Sequence, residues 1–238
     1  SPRAHIIKDE HVKEDVNTLK AAQGSTSRGI APCYSDKYRR VGTMAREIDK
    51  LKDFIWDEKL YGNILCEGAQ GFWLDINNGN YPYTTSSVTL PYAACSLGFS
   101  PKLINNIYGA IKIYDTRVGI DPEFPESLFE NEELNLIGNI GLEYGVSTGR
   151  RRKVNWLNVK KLIEAIKISG VTDLIISKVD VLEKANIFKL YDVNNDILSF
   201  KSIYEMRSYI ENVLSENCKL NSIVFSNNPY TITESNEL

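Results

Sequence analysis

The pattern of apolar and polar positions is clearest in the second half of the chain, where helix-spaced and strand-like stretches alternate. Asn155 to Ser169 carries leucine, valine and isoleucine at helical spacing, and Gly170 suits the C-cap of such a helix. The run Asp173 to Ser177 is typical of a strand that is buried on both faces in a parallel sheet. The same patterns predict a helix over Ile203 to Leu214 and a final strand over Ser222 to Phe225.

Other stretches continue this alternation of strands and helices. Ile111 to Tyr114 is a further candidate for a buried strand, and Ile187 to Val193 with Ile197 to Ile203 flank the turn sequence Asn194-Asn195-Asp196 as a hairpin. Buried strands that alternate with helices predict an α/β fold with a mainly parallel sheet flanked by helices. Since the 238 residues contain no internal repeat, linker or low-complexity segment, we expect a single domain over residues 1–238.

The first half of the chain is more polar and its pattern is less regular. Residues 8–22 have the spacing of an amphipathic helix that ends near Gly24. Further predicted elements are a charged helix over Asp36 to Glu58, a short strand over Asn63 to Cys66, and helices over Pro91 to Leu97 and Leu103 to Ile107. Glycine and hydroxyl-bearing residues fill several of the connecting loops, where binding sites are commonly built.

Composition and charge narrow the class of partner. The formal net charge is −3 and the one short basic run is Arg150 to Lys153, so no broad face for DNA or RNA is expected. No apolar run approaches the roughly 18 residues of a membrane helix, and no signal peptide is apparent. The cysteines are scattered and indicate free thiols in a reducing compartment: Cys33, Cys66, Cys95 and Cys218. These features favour a cytoplasmic protein with small-molecule partners and no membrane or nucleic-acid partner.

The loop Ser147-Thr148-Gly149-Arg150-Arg151-Arg152 is the strongest candidate for a binding site. Hydroxyl groups, a flexible glycine and three guanidinium groups suit carboxylate or phosphate oxygens, onto which arginine can direct two parallel hydrogen bonds. The alternative is a solvated basic turn, or a set of salt bridges to the acidic stretch Glu126 to Glu133. The residue types favour a small polyanion as the ligand.

Two other loops have a similar character. Ser25-Thr26-Ser27-Arg28-Gly29 places hydroxyl groups beside an arginine, and Glu67-Gly68-Ala69-Gln70-Gly71 follows the strand predicted at Asn63 to Cys66. Small residues let backbone amides approach a ligand, and the Gln70 side chain offers both a donor and an acceptor. A helix-capping turn and an ordinary strand-to-helix turn are the alternatives that these residues leave open.

The element Ser177-Lys178-Val179-Asp180 directly follows a predicted sheet strand and resembles the base-reading element of GTP-binding proteins. There, an aspartate accepts hydrogen bonds from guanine, and the lysine stem covers the ring. No glycine-rich loop ending in lysine follows a first strand, so a cradle for triphosphates is not apparent. His5 and His11 lie in the N-terminal segment, away from the glycine-rich loops, and we expect structural roles for both.

Taken in order, these loops resemble the motifs of adenylosuccinate synthetase, a family that joins IMP to aspartate with GTP and Mg²⁺. The matching stretches are Gly24 to Lys37, Glu67 to Gly71 with Leu74-Asp75-Ile76, Tyr81 to Ser87, Thr116 to Gly119, Tyr144 to Trp156 and Lys178 to Leu182. Several motifs in the family's own order are not expected by chance. The resemblance implies a synthetase fold related to the P-loop NTPases, here lacking its N-terminal part.

The resemblance also implies roles for particular residues. For the IMP nucleotide it implies Ser25, Thr26, Arg40, Gln70, Thr85 and Arg150, with Arg40 reaching across a homodimer interface and Gln70 contacting the purine 6-oxygen as a catalytic residue. For aspartate it implies Thr148, Arg150 and Arg152. For the guanine nucleotide it implies Lys178 and Asp180, with Ser226 and Asn228 beside the base. GTP would phosphorylate the 6-oxygen, and the aspartate amine would then displace it, so guanidinium and amide donors would stabilise crowded negative charge.

Departures from the family pattern leave the substrates open. The family's phosphate loop and its Gly-His-Thr segment would lie upstream of Ser1, so we expect an N-terminally truncated chain, without metal ligands of its own for Mg²⁺ and inactive alone. Ser226-Asn227-Asn228-Pro229 replaces Ser-Thr-Gly-Pro, which leaves GTP or ATP as phosphate donor, and Gly119 to Pro122 replaces a glycine-richer loop. Thr84 to Ser87 favours IMP over dGMP, the substrate of a viral branch of the fold. A non-catalytic nucleotide-binding fragment and a GTPase-type switch are the alternatives from other classes.

Overall fold

The computed structural model describes residues 1–56, 58–59, 61–146 and 149–234 of the chain. The chain divides into two compact units, Ser1–Val88 and Thr89–Leu238. The expectation of one domain over residues 1–238 stays a prediction. The predicted α/β class is confirmed, since strands of a mainly parallel sheet alternate with helices in the second unit.

The first unit is built from short helices and turns. The predicted N-terminal helix is present as three consecutive segments, namely α1 (Asp9–Glu14), a π-helical turn (Asp15–Leu19) and α2 (Lys20–Gln23). It ends where predicted, because Gly24 adopts a left-handed φ of 68°. A third helix, α3 (Ile30–Arg39), follows, and 3₁₀ turns occupy Ala45–Glu47, Asp49–Phe54 and Phe72–Leu74.

The charged helix predicted over Asp36 to Glu58 is wrong in both bounds. Helix α3 begins earlier, at Ile30, and ends at Arg39. The N–H groups of Val41 and Gly42 cap its end by donating to the carbonyl of Asp36, at 3.0 and 3.2 Å. The chain then turns back to pair with the N-terminal segment, where the Ala45 N–H donates to the Ala4 carbonyl at 2.8 Å. The charged residues beyond this point therefore form 3₁₀ turns, because tertiary pairing outweighs their helix propensity.

The strand predicted over Asn63 to Cys66 is also wrong. Ile64 and Leu65 are 50% and 85% exposed, and residues 63–66 form no strand ladder with any part of the chain that the structure describes. An apolar run this short becomes a strand only where a neighbouring strand satisfies its N–H and C=O groups. The loop that carries Gln70 therefore does not follow a strand in this unit.

The second unit holds the sheets. Its strands are β1 (Tyr108–Lys112), β2 (Tyr114–Arg117), β3 (Lys153–Asn158), β4 (Asp173–Ser177), β5 (Lys189–Tyr191), β6 (Ile197–Ser199), β7 (Ser222–Asn228) and β8 (Thr231–Glu234). One sheet has the order β1-β4-β7-β8, with β1, β4 and β7 parallel and β8 antiparallel. The other has the order β2-β3-β5-β6. Ile113 is fully buried between β1 and β2, so the chain passes directly from one sheet into the other.

Helices cover these sheets and complete the core. They are α5 (Glu132–Ile140), α6 (Val159–Ser169), α7 (Val179–Ala185) and α8 (Ile203–Asn217), and the second unit also contains α4 (Leu90–Leu97), close to the predicted Pro91 to Leu97. The buried cluster joins Ile166 of α6, Met206 and Leu214 of α8, and Phe225 of β7. Each such side chain contributes about 1.5–3 kcal/mol by leaving water, so this apolar cluster is the main support for the polar edge described below.

Two further boundaries differ from the sequence prediction. The helix expected from Asn155 begins at Val159, because residues 153–156 pair with β2 and residues 157–158 pair with β5. The Asn158 side chain then caps α6 by accepting the Lys161 N–H at 3.0 Å. The helix expected over Leu103 to Ile107 is limited to a 3₁₀ turn, Pro101–Leu103. Beyond it, the carbonyl of Ile107 accepts the Thr172 N–H at 2.9 Å, which draws the chain into β1.

Candidate functional site

The carboxyl ends of three parallel strands meet at one edge of the first sheet. Lys112, the last residue of β1, lies in register with Ser177, the last residue of β4, and the ladder continues into β7 from Ile176 to Phe225. Ligands of α/β folds commonly bind outside such an edge. The loops and side chains that leave this edge therefore form the candidate site of the second unit.

Lys178 and Asp180 lie at this edge, as the sequence predicted for an element that follows a buried strand. Lys178 adopts a left-handed φ of 66° as the residue that precedes α7, and its Nζ donates to the carbonyl of Gly141 at 3.0 Å. Asp180 lies in the first turn of α7, where its carboxylate pairs with Lys184 at 2.7 Å. Helix α7, which the sequence pattern did not predict, is what orients the two residues.

Ser226 and Asn228 lie in β7, the strand next to β4. Ser226 is buried and its hydroxyl donates to the carbonyl of Asn228 at 2.6 Å. The Asn228 side chain accepts the Tyr230 N–H at 2.8 Å in the turn that leads to β8. Strand β8 was not predicted either, although the alternation Thr231-Ile232-Thr233 was an available signal.

Antiparallel contacts join the described residues on either side of the arginine-rich loop. Tyr144 and Arg151 form a β-bridge, the Gly145 N–H donates to the carbonyl of Arg150 at 2.8 Å, and the Gly149 N–H donates to the carbonyl of Gly145 at 2.7 Å. Gly149 has a φ of 63°, which favours glycine. Ser147 and Thr148 lie outside the described residues, so the prediction for Thr148 has no structural counterpart here.

The arginines of this loop have different surroundings. Arg151 donates to the side chains of Asn135 and Asn139, at 3.0 and 3.1 Å, and covers the ring of Phe129, which is a structural role. Arg150 is partly buried at the base of the turn. Two lysines form salt bridges to the acidic stretch, Lys153 with Glu126 at 3.0 Å and Lys189 with Glu133 at 2.5 Å.

Arg152 is fixed by a buried carboxylate that the sequence pattern did not single out. The Glu143 side chain is 3% exposed, and it accepts from Arg152 at 3.2 Å, from the Lys112 Nζ at 2.6 Å and from the Tyr114 hydroxyl at 2.8 Å. The Arg152 Nε is buried and has no hydrogen-bond partner among the described residues. A buried donor without a partner costs about 1–3 kcal/mol, so this N–H is a natural contact for an acceptor on a ligand.

The electrostatics of the cluster follow from its burial. Burial acts to raise the pKa of Glu143, but hydrogen bonds from Lys112 and Tyr114 together with the charges of Lys112 and Arg152 outweigh it and lower that pKa. The pKa of Lys112 is lowered, first by burial and further by the nearby cations Arg152 and Lys178, although Glu143 opposes the shift. Glu143 thus pairs with two cations, a third, Lys178, lies close to Lys112, and the excess positive charge suits an anionic ligand.

A second group of buried charges lies on β2 and the loop after it, within the Thr116 to Gly119 motif region. Arg117 and Asp121 form an ion pair at 3.2 Å with both side chains buried. Asp115 accepts the Asn158 N–H at 3.0 Å, and burial raises the pKa of Asp115 to about 7, against the effects of that hydrogen bond and of Lys161. The sequence alone did not separate these acids from ordinary surface carboxylates.

In the first unit, the loop from Ser25 to Gly29 is tied down by Asp15. This buried carboxylate accepts the Gly29 N–H at 2.8 Å, and the Ser25 hydroxyl accepts the Ser27 N–H at 3.1 Å. Gly29 has a φ of 73°, and a side chain there would approach the Val12 backbone nitrogen to 2.9 Å. Thr26 is consequently presented on the outside of a rigid turn, where it is exposed.

The remaining predicted residues of this unit are Arg40, Gln70 and Thr85. Arg40 and Gln70 are exposed and have left-handed φ values of 67° and 63°. Thr85 is partly buried, and its N–H donates to the carbonyl of Leu74 at 2.7 Å. Gly68 and Gly71, which flank Gln70, have open space where a side chain would lie, so steric demand does not explain glycine there.

Asp75, inside the Leu74-Asp75-Ile76 motif, organises the segment that carries Thr85. It is 1% exposed and accepts the backbone N–H groups of Asn77, Asn78 and Val88, at 2.9, 3.2 and 2.8 Å. Burial acts to raise its pKa, but these hydrogen bonds together lower the pKa of the carboxyl below its ordinary value. Asp75 therefore holds the two ends of residues 75–88 together.

His11 has the structural role that was expected. It is buried, its Nδ1 accepts the Lys8 N–H at 3.0 Å, and its Nε2 lies 3.1 Å from the carboxylate of Asp36.

Within the described part of the chain, no group of three or more His, Cys, Asp or Glu side chains is arranged to hold a metal ion. Among the described residues, no helix has the length and apolar character that crossing a membrane requires.

Comparison with known proteins gives a consistent result. Residues 43–216 match the adenylosuccinate synthetase family. The adenylosuccinate synthetase of Thermodesulfovibrio yellowstonii is 34% identical over 252 residues, which is 82% of this chain and 58% of that protein. The adenylosuccinate synthetase of Phocaeicola vulgatus is 33% identical over 273 residues, or 91% of this chain and 64% of that protein. The chain therefore spans about three fifths of the length of these relatives.

Two solved structures share the fold. The fully ligated adenylosuccinate synthetase from Plasmodium falciparum superimposes with a TM-score of 0.78 at 24% identity, covering 95% of this chain and 74% of that one. The succinoaminodeoxyadenylate synthetase of cyanophage S-2L, bound to dGMP and to dATP as an energy donor, superimposes with a TM-score of 0.65 at 19% identity, covering 97% and 67%. From the family match and the identity to its curated relatives, the chain belongs to the adenylosuccinate synthetase family.

Proposed function

We propose that this chain forms the substrate-holding part of a ligase that joins IMP to aspartate and hydrolyses GTP, giving adenylosuccinate. The observation that carries the proposal is the cationic edge of the first sheet, where Lys112 and Arg152 pair with the buried carboxylate of Glu143 and Lys178 lies close to Lys112. A phosphate or dicarboxylate would neutralise the excess positive charge of this edge. Membership of the synthetase family supports the same reaction class.

In this proposal, residues of the second unit bind aspartate and the guanine nucleotide. Thr148, Arg150 and Arg152 would hold the aspartate carboxylates, since guanidinium groups can donate two parallel hydrogen bonds to them. Asp180 would accept from the guanine ring, with the Lys178 stem against its face. Ser226 and Asn228 would lie beside the base, at the end of the strand next to β4.

Residues of the first unit would bind the other nucleotide. Ser25, Thr26 and Thr85 would donate hydroxyl hydrogen bonds to phosphate oxygens, and Gln70 would donate its amide N–H to the purine 6-oxygen. Arg40 is exposed, which fits the proposal that it reaches the partner's site in a homodimer. Light scattering coupled to gel filtration tests the dimer, and a monomer at assay concentration would contradict it. A cytoplasmic location is part of the same proposal.

The chemistry has two steps. The γ-phosphoryl group of GTP is transferred to the 6-oxygen of IMP, forming an O–P bond while GDP leaves. The aspartate amine then attacks carbon 6, the C–O bond breaks, and phosphate leaves. Both steps gather negative charge, and the guanidinium and amide donors of this chain would stabilise it because they are held in place before reaction. The Mg²⁺ implied by the family would neutralise phosphate oxygens when bound, and no described residue is assigned to it.

A second candidate is a ligase that joins dGMP to aspartate. The structural likeness to the cyanophage enzyme bound to dGMP and dATP favours keeping it. So does the departure from the usual family pattern at Ser226-Asn227-Asn228-Pro229, which leaves ATP as a possible phosphate donor. The stretch Thr84 to Ser87 supports IMP, which is therefore the first choice.

Phosphate release by the encoded protein tests both candidates. We expect release that needs IMP, aspartate and GTP together, with each omission abolishing it. Release with dGMP in place of IMP would move the assignment to the second candidate, and release with ATP in place of GTP would change the donor. Binding of nucleotide without any release would identify a non-catalytic member of the family.

A further inference from the structure

We propose that Glu143 is a positioning residue, whose buried carboxylate holds Arg152 and Lys112 ready for an anionic substrate. Lys112 thereby joins the residues of the binding edge. The inference rests on the proposed function, in which Arg152 binds the carboxylates of aspartate. Neither Glu143 nor Lys112 belongs to the residues that the family motifs single out.

Both oxygens of Glu143 are engaged in the described structure. Oε1 accepts from the Tyr114 hydroxyl at 2.8 Å, and Oε2 accepts from Lys112 at 2.6 Å and from Arg152 at 3.2 Å. The backbone is fixed as well, because the Glu143 N–H donates to the Gly138 carbonyl at 3.0 Å and the Arg152 N–H donates to the Glu143 carbonyl at 2.9 Å. The carboxylate therefore cannot move without moving the base of the arginine-rich loop.

The corner that precedes Glu143 reaches a second predicted binding residue. The Gly141 carbonyl accepts from the Lys178 Nζ at 3.0 Å. A side chain at Gly141 would lie 2.4 Å from the Tyr114 hydroxyl, so glycine is needed for this close approach. Residues 141–143 thus contact Arg152, proposed for aspartate, and Lys178, proposed for the guanine nucleotide. This placement makes the corner a common support for both.

The charge of Glu143 matters more than its shape. Without it, the cations Lys112, Arg152 and Lys178 would repel one another with no buried counter-charge between them. Arg152 would lose the contact that restrains its long side chain, so binding aspartate would have to restrict more rotamers. We therefore expect Glu143→Gln to weaken aspartate binding while the reacting groups stay unchanged.

A double-mutant cycle tests this role. In the encoded protein, Glu143→Gln should raise the KM for aspartate about tenfold or more, with a smaller change in kcat, as removal of a buried charge partner does. In an Arg152→Leu background the same change should have an effect close to onefold, because Glu143 acts through Arg152. Glu126→Gln is the matched control, since Glu126 pairs with the neighbouring Lys153 but its side chain is 80% exposed. Equal effects of Glu143→Gln in both backgrounds would overturn the proposal.

Two additions keep the outcome interpretable. If Glu143→Gln does not fold, Tyr114→Phe removes one of the three donors to the carboxylate and enters the same cycle, with a smaller expected rise in KM. Calorimetric binding of pyrophosphate gives a readout that needs no turnover. If the wild-type protein releases no phosphate but pyrophosphate affinity depends on Glu143 only when Arg152 is present, the proposed function fails and the positioning role stands. Normal turnover with no coupling between Glu143 and Arg152 would overturn the positioning role and leave the proposed function intact.

Discussion

Replacement of Asp115 by asparagine should make the second unit more stable at alkaline pH. Asp115 lies on β2, accepts the Asn158 N–H at 3.0 Å and faces Lys161, yet burial raises its pKa from 3.8 to about 7. The amide oxygen of asparagine can accept the same N–H, so Asp115→Asn keeps the hydrogen bond and removes only the charge. The variant therefore isolates the free-energy cost of ionising this carboxyl in the folded state.

The sign and size follow from the shift in pKa. Below pH 4 the carboxyl is protonated in the folded and unfolded states, so its ionisation costs nothing. Between pH 4 and 7 the unfolded chain ionises first, so stability falls as pH rises, and above about 7 the full cost is present. At about 1.4 kcal/mol per pKa unit, a shift of about 3 units corresponds to about 4 kcal/mol. Partial exposure of Asp115 screens the charge, so we expect about 2 kcal/mol at pH 8.

Urea unfolding at pH 4.5, 6 and 8 measures this difference. Trp156 is buried in the second unit, and replacing Trp56 and Trp73 by phenylalanine makes it the sole tryptophan reporter. Asp121→Asn is the control of opposite sign, because it breaks the buried pair with Arg117 and should cost about 3 kcal/mol. A gain for Asp115→Asn that does not grow with pH, or a loss at pH 8, would refute the reasoning.

Three further changes test the site and its support. Asp75→Ala leaves buried N–H groups unsatisfied, including that of Val88, and should lower the free energy of unfolding by about 2–3 kcal/mol. Amide hydrogen exchange across residues 76–88 should become faster, and unchanged protection would contradict the role of Asp75 in holding this segment. Gly141→Ala should cost about 1–3 kcal/mol by urea unfolding, because its methyl group would meet the Tyr114 hydroxyl; a neutral result would mean that the corner can relax. Arg150→Leu should raise the KM for aspartate and nucleotide in the phosphate-release assay, whereas unchanged kinetics would remove Arg150 from the proposed site.

The elements that the sequence predicted well are those whose residues are buried on a regular period. Strand β4 and helix α8 have apolar residues at the positions that face the core. Their sequence pattern therefore indicates both the type of element and its buried face. The strand predicted over Asn63 to Cys66 is absent, because an apolar run forms a strand only beside a partner strand. The local sequence pattern does not tell whether such a partner exists. The helix predicted beyond Arg40 is also wrong, because residues 43–45 pair with residues 4–6 of the N-terminal segment and do not continue the helix. Pairing across the chain is the information that local periodicity lacks.

The candidate site divides along the same line. The position of Lys178 and Asp180 at the sheet edge was predictable, because they directly follow a buried strand, whereas their role in binding guanine stays a prediction. Glu143 and Asp75 were not singled out from the sequence. The sequence shows only an acidic residue, and it does not tell whether the carboxylate is buried and hydrogen-bonded or exposed to solvent. Burying a carboxylate costs free energy unless hydrogen-bond donors or cations pair with it fully. We therefore expect buried acids where they orient such donors. The residues that position a site are therefore the hardest to find from sequence, and structure supplies them through burial and hydrogen-bond partners.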